Sequence, residues 1–139
     1  PSALPERVCL RFVTPTRLQQ DGRPVGPATL DGPSLARAIQ RRVGLMAAFH
    51  GSGTGAIDHA TLAQEAGHVR IVSRDLAWRR LFRRSARQKA KQAIGGITGE
   101  ITLDFGQAPG LREYARWLPA THLGKGTSMG LGQVEVSGE

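Results

Sequence analysis

Arg70-Ile71-Val72-Ser73-Arg74-Asp75-Leu76-Ala77-Trp78-Arg79-Arg80-Leu81-Phe82-Arg83-Arg84-Ser85-Ala86-Arg87-Gln88-Lys89-Ala90-Lys91 is the stretch on which the fold turns. Val69, Ile71 and Val72 at its start favour a strand, because β-branched side chains pack well on a pleated surface. Downstream, Ile97, Ile101, Leu103 and Phe105 alternate well enough for a second strand, with Gly99 on the same face. The residues between them read two ways, since Trp78, Leu81, Phe82, Ser85, Ala86 and Lys89 also fit helical spacing. A long basic hairpin and a basic amphipathic helix from Arg79 to Lys91 both satisfy the pattern.

The same stretch holds the charge. Of the 19 basic residues, nine (Arg70, Arg74, Arg79, Arg80, Arg83, Arg84, Arg87, Lys89 and Lys91) stand here against one acid, Asp75. Elsewhere the remaining basic residues are matched by acids, so the net charge of +8 is concentrated in this segment. Charge scattered for solubility mixes its signs; an excess confined to one segment is the footprint of an anionic partner. Nucleic acid is the leading partner, ahead of an anionic membrane or an acidic protein, which the helical reading would serve.

Outward from this stretch the chain reads as an α+β domain. Arg7 to Val13 alternates, with Val8, Leu10 and Phe12 on one face, as a half-buried strand. Arg17 to Pro33 is broken by prolines and glycines into a surface excursion, in which Asp21-Gly22 turns a short hairpin. Ser34 is placed to cap a helix whose apolar face is Leu35, Ile39, Val43, Met46 and Phe49, with Gly51 at its end and Arg37 and Arg41 on its solvated face. Gly51 to Gly55 reads as a linker, and Asp58 caps a second, short helix to Ala66. Pro109 to Leu118 is helical, with Leu111, Tyr114, Ala115 and Leu118 inward and Pro119 as its stop. Gln133 to Val136 closes as a strand. With the hairpin, the order is βαββαβ: a ferredoxin-like (RRM-like) fold, an antiparallel sheet with its helices on one face. Many RNA-binding modules share it, but the paired aromatics of an RNA-recognition motif are missing, and Phe105 reads as core.

Before the last strand runs His122-Leu123-Gly124-Lys125-Gly126-Thr127-Ser128-Met129-Gly130-Leu131-Gly132. Its glycines let a backbone bend sharply and bring N–H groups against a phosphate. A P-loop requires Ser or Thr straight after Gly-Lys, where Gly126 stands, and the dinucleotide fingerprint requires glycine where Met129 stands. A mononucleotide or NAD site is therefore disfavoured, and no cofactor is expected.

Composition bounds the rest. With 139 residues, 40% of them hydrophobic, the chain has the size of one domain with a real core. Cys9 is the only cysteine, which rules out an intrachain disulfide and fits a cytoplasmic setting. The longest apolar run, around Val43 to Phe49, falls far short of the roughly 20 residues that cross a bilayer. The histidine spacings do not suggest a zinc site. His50 ends the long helix with no acid partner in view, His59 and His68 read as surface residues, and His122 lies beside the glycine loop. His122 and His50 are thus the residues to weigh for proton transfer, with no catalytic group assigned.

Trp78, then Arg84-Ser85-Ala86-Arg87-Gln88, then Ile94-Gly95-Gly96-Ile97-Thr98-Gly99-Glu100, and finally the His122–Gly132 stretch follow one another in an order and spacing that resembles a known family. It is the C-terminal domain of the CRISPR-associated endoribonucleases that process precursor CRISPR RNA, the Cas-six group of the RAMP superfamily. Phe12-Val13-Thr14-Pro15-Thr16-Arg17 and the helix bearing Arg41-Arg42 share the likeness, which covers nearly the whole chain. The resemblance implies that residues 1–139 form one ferredoxin-like domain, the second half of a longer protein, and favours the hairpin. It also implies a CRISPR repeat transcript as partner, with other CRISPR effector subunits as further ones. Cleavage in this family needs no metal: the ribose 2′-hydroxyl attacks the adjacent phosphate, and the usual catalytic histidine belongs to the first half. This chain would then bind RNA without cutting it. The alternative within the class is a non-catalytic RAMP subunit that holds CRISPR RNA.

For RNA contacts the residues singled out are Arg80, Arg84, Arg87, Gln88, Lys89 and Lys125, with Ser85 and Ser128 adding neutral hydrogen bonds. Gly124, Gly126, Gly130 and Gly132 shape the loop.

Overall fold

The computed structural model describes residues 4–20, 22–50, 59–84, 91–127 and 130–139. Its elements run β1 (Arg7–Thr16), β2 (Gln19–Gln20), β3 (Arg23–Pro24), α1 (Gly32–His50), α2 (His59–Ala66), β4 (Arg70–Arg84), β5 (Lys91–Asp104), α3 (Pro109–Ala115), α4 (Leu118–Thr121) and β6 (Val134–Gly138). The four long strands form one antiparallel sheet in the order β4-β5-β1-β6. That is the ferredoxin-like order, with β2 and β3 added as a hairpin beyond β1.

The basic stretch is a strand as far as Arg84. Its backbone pairs with β5 from Arg70↔Asp104 to Arg84↔Lys91, so the helical reading does not hold from Arg79 to Arg84. The ladder pairs the strand's β5-facing backbone groups, whereas a helix would have had to find a core for Trp78, Leu81 and Phe82. The membrane-binding alternative loses its element with it, and no helix among the described residues is long and apolar enough to cross a membrane.

One face of the sheet is buried. Val8, Leu10 and Phe12 of β1, Ile97, Ile101 and Leu103 of β5, and Val134 of β6 join Leu35, Ile39 and Val43 of α1 and Leu111 and Ala115 of α3 in a single core. The intervening residues, Arg11, Glu100 and Glu135, are exposed on the other face. Period two on the strands and 3.6 on the helices thus meet at one interface, as the sequence pattern requires. Phe105 is fully buried in this core.

Three expectations need correction. The helix begins two residues before Ser34: the carboxylate of Asp31 accepts the N–H of Ser34 at 2.7 Å, so Asp31 is the cap. Pro119 opens α4 instead of ending α3, where its fixed φ and missing N–H cost nothing. The segment from Arg17 to Pro33 is also more than a surface excursion, since Leu18, Val25 and Leu30 are buried in the core while the hairpin around Gly22 stays exposed. Met46, Phe49, Gly51 to Gly55, Asp21 and Asp58 carry expectations that lie outside the described residues or side chains.

Tertiary bonds set the helices. Glu65 of α2 accepts the N–H of Leu111 at 3.0 Å and so caps α3, which has no side-chain cap of its own. Gly32, at the start of α1, lies against the carbonyl of Val69 beside β4, and farther along Arg42 reaches Thr121. α1 therefore leads from the start of β4 to the end of the sheet where the last loop sits.

Candidate nucleic-acid interface

At one end of the sheet β1 stops while β5 and β4 run on. Thr16 is the last residue of β1 and pairs with Ile97, which in turn pairs with Trp78. Beyond that row β4 and β5 continue as a two-stranded arm, from Arg79↔Gly96 and Arg80↔Gly95 to Arg84↔Lys91. No third strand pairs with this arm among the described residues. Arg79 and Arg80 are exposed on opposite faces, since successive residues of a strand alternate. The indole of Trp78 lies across Gly95, where a Cβ would come within 2.6 Å of the ring, and 43% of Trp78 is exposed.

The glycine stretch connects α4 to β6 at this same end. Gly124, Gly126, Gly130 and Gly132 all have positive φ, between 76° and 88°. Two of them are forced by contact: a Cβ on Gly132 would overlap the carbonyl of Leu123, and one on Gly124 the carbonyl of Arg17. The loop is fastened to the exit of β1 by backbone N–H groups, Gly132 to the carbonyl of Pro15 at 3.0 Å and Lys125 to that of Arg17 at 3.1 Å. The hydroxyl of Thr14 donates to the carbonyl of Gly130 and accepts the N–H of Gln133, both at 2.9 Å. From α1, Arg42 donates from Nε to the carbonyl of Thr121 at 2.8 Å and from Nη2 to the hydroxyl of Thr127 at 3.1 Å.

His122 enters this loop under strain. Its φ of 61° and ψ of −177° fall where side chains are rarely tolerated, a conformation that costs about 1–3 kcal/mol. Its N–H donates to the carbonyl of Leu118 at 2.8 Å, and its carbonyl accepts the hydroxyl of Thr121 at 3.0 Å. Among the described residues it is the only non-glycine at positive φ.

Between the loop, the β2–β3 hairpin and α1 lies a groove of about 450 Å³, lined by Arg17, Leu18, Gln19, Gly22, Ala38, Arg41, Arg42, Gly124 and Lys125. Four cations therefore meet in it, and none of its described lining residues is a carboxylate. The ion pairs among the described residues, Arg11–Glu135 and Arg116–Glu113, lie elsewhere. On the open face of the sheet the charges are mixed: Asp75, Glu100, Arg11 and Glu135 stand in one cross-strand row, three acids to one base, and Arg70, Asp104 and Arg7 in another, two bases to one acid.

Of the residues singled out from sequence, Arg80 is on the arm and Lys125 lines the groove, both exposed. Arg84 is the last residue of β4 and His50 the last of α1, with their side chains outside the description. Ser85, Arg87, Gln88, Lys89 and Ser128 lie outside the described residues. Arg17, Arg41 and Arg42 were read as parts of a resemblance or of a solvated helix face; no spacing rule links them, and only the packing of α1 against the exit of β1 joins them. His59 is held by Gln40, whose Nε2 stands 3.1 Å from its Nδ1, and His68 is exposed. Among the described residues no group of three His, Cys, Asp or Glu is arranged to hold a metal ion.

The chain matches the family model of the CRISPR-associated endoribonuclease Cas6 over residues 10–134. It belongs to the Cas6 family. Its fold is similar to that of Thermus thermophilus Cas6, with a TM-score of 0.67 and 18% identity over 99% of this chain and 55% of that one. A Cas6 product complex matches with a TM-score of 0.65 and 18% identity, over 98% of this chain and 53% of that one. A Cas6-RT-Cas1–Cas2 complex matches with a TM-score of 0.63 and 17% identity, over 97% of this chain and 14% of that one. The chain thus spans about half the length of the Cas6 structures. No curated protein matches it. At these identities the likeness to the solved Cas6 structures speaks to the fold.

Proposed function

We propose that this chain is the RNA-binding, C-terminal half of a Cas6 endoribonuclease that processes CRISPR repeat transcripts. One observation carries the reading: the basic arm and the glycine loop stand at the same end of the sheet. Arginines on the arm grip phosphates with paired hydrogen bonds, and the glycine loop admits an RNA backbone at close range. Trp78, at the root of the arm, offers an aromatic edge beside them.

Cleavage in this reading needs no metal. A general base takes the proton of a ribose 2′-hydroxyl, its oxygen bonds to the adjacent phosphorus, and the 5′-oxygen leaves with a proton from a general acid. A 2′,3′-cyclic phosphate and a 5′-hydroxyl result, and a cation steadies the charge of the phosphorane. The base and acid come from the missing half, so this chain alone binds without cutting. Other CRISPR proteins are further partners in this reading, which draws support from the matched Cas6-RT-Cas1–Cas2 complex.

The test is a titration of the chain, in EDTA, against labelled RNA stem-loops and matched DNA, followed by a denaturing gel. Salt-sensitive binding that prefers RNA, with no cleavage, is the expected result. Cleavage to a cyclic-phosphate end would place the catalytic group here, with His122 and His50 replaced first. An equal response to RNA and DNA, or none, would overturn the reading.

A further inference from the structure

We infer that the groove between α1, the β2–β3 hairpin and the glycine loop is a pocket for one unpaired nucleotide of the bound RNA. The inference rests on the RNA-binding reading above and adds to it a site away from the arm. Arg17, Arg41 and Lys125 line the groove, are exposed, and have no carboxylate partner among the described residues. Arg42 is different: its guanidinium is committed to Thr121 and Thr127, so it holds the wall in place. Three cations without a carboxylate partner among the described residues, set around one cavity, repel one another unless an anion lies among them.

Size and lining narrow the anion. The groove, at about 450 Å³, lies in the range of small-molecule sites, a size that suits a single nucleotide. Leu18 and Ala38 form an apolar floor of small exposed area, which the aliphatic stems of Arg17, Arg41 and Lys125 extend. An inorganic anion has no use for such a surface, whereas the flat face of a base does. A phosphate on Arg17, Arg41 and Lys125 with its base laid against Leu18 and Ala38 uses both kinds of lining. Such splayed single nucleotides are how proteins read RNA outside its helices. The two walls are tied to each other, because the carbonyl of Arg17 accepts the N–H of Lys125 at 3.1 Å, which keeps the backbones that carry two of the three cations side by side.

Two RNAs test the pocket: a stem-loop with unpaired flanking nucleotides and the same stem-loop cut blunt. Arg41→Ala and Arg17→Ala are expected to weaken the flanked RNA by about tenfold each and to leave the blunt one unchanged, the loss typical of one charge-assisted bond. Both positions are exposed and the carbonyl of Arg17 survives the change, so folding should be unaffected, which thermal melting checks. Equal losses on both RNAs would mean general attraction and would overturn the pocket, as would no loss on either. In those outcomes wild-type RNA binding still stands, so the failure is the pocket's alone. A parallel NMR titration with adenosine monophosphate is expected to shift the amides around Lys125 in the wild type and not in Arg41→Ala; silence in the wild type counts against the pocket.

Discussion

Arg42 and Thr121 are joined by a 2.8 Å hydrogen bond from the guanidinium Nε to the main-chain carbonyl, and the other arm of the fork reaches Thr127 at 3.1 Å. One side chain on α1 thereby holds both the entry and the middle of the glycine loop. Removing it as Arg42→Ala should lower stability in urea by about 1.5–3 kcal/mol, the range for bonds to a charged group. Arg42→Lys should recover less than half of that, because a single ammonium lacks the fork. Full recovery by lysine would show that only the charge matters.

Gly132 and Gly130 share positive φ and differ in surroundings. A Cβ meets nothing within 4 Å at Gly130, while at Gly132 it overlaps the carbonyl of Leu123. Gly130→Ala should therefore cost about 1–2 kcal/mol of backbone strain alone. Gly132→Ala should cost at least about 2 kcal/mol more, because the β1 attachment must also shift. Thermal unfolding of the two variants decides it. The bulkier Gly130→Val should fold and bind RNA more weakly; intact affinity in a folded protein would reduce the loop to a connector.

Asp31, not Ser34, should be the sensitive cap of α1. Asp31→Ala is expected to destabilise by about 0.5–2 kcal/mol and Ser34→Ala by less than about 0.5 kcal/mol. Denaturation midpoints at constant m-value measure both. Comparable losses would show that Ser34 also serves the helix end.

The arm and the acidic row across the middle of the open face should respond oppositely to RNA. Arg80→Ala should weaken binding and reduce the logarithmic salt slope by roughly 0.7, the value for one phosphate contact on a single strand. Glu100→Gln, in the acidic row beside Asp75, should leave affinity unchanged or raise it. A marked loss on Glu100→Gln would move the binding surface onto the sheet.

Much of the fold was legible in local pattern. Val8, Leu10 and Phe12 announced a half-buried strand, and Leu35, Ile39 and Val43 a core-facing helix, because burial on one face leaves a period that can be counted. Local pattern left one choice open and misread another. Trp78 to Arg84 fitted a helix as well as a strand until pairing with β5 settled it, and Ser34 looked like a cap although Asp31, three residues earlier, takes that role. Pro119 looked like a stop, although proline is as much at home in a first turn.

The sequence by itself determined the order of the elements, the confinement of positive charge to one segment, and the need for glycine between His122 and Val134. These are properties of neighbouring residues, and the chain displays them before it folds. Tertiary structure decided which end of the sheet carries the arm and the loop together, and that Arg17, Arg41 and Lys125 share one groove. No local rule reaches that result. It depends on where β1 stops in the register and on how α1 crosses the sheet, both settled by burying one core.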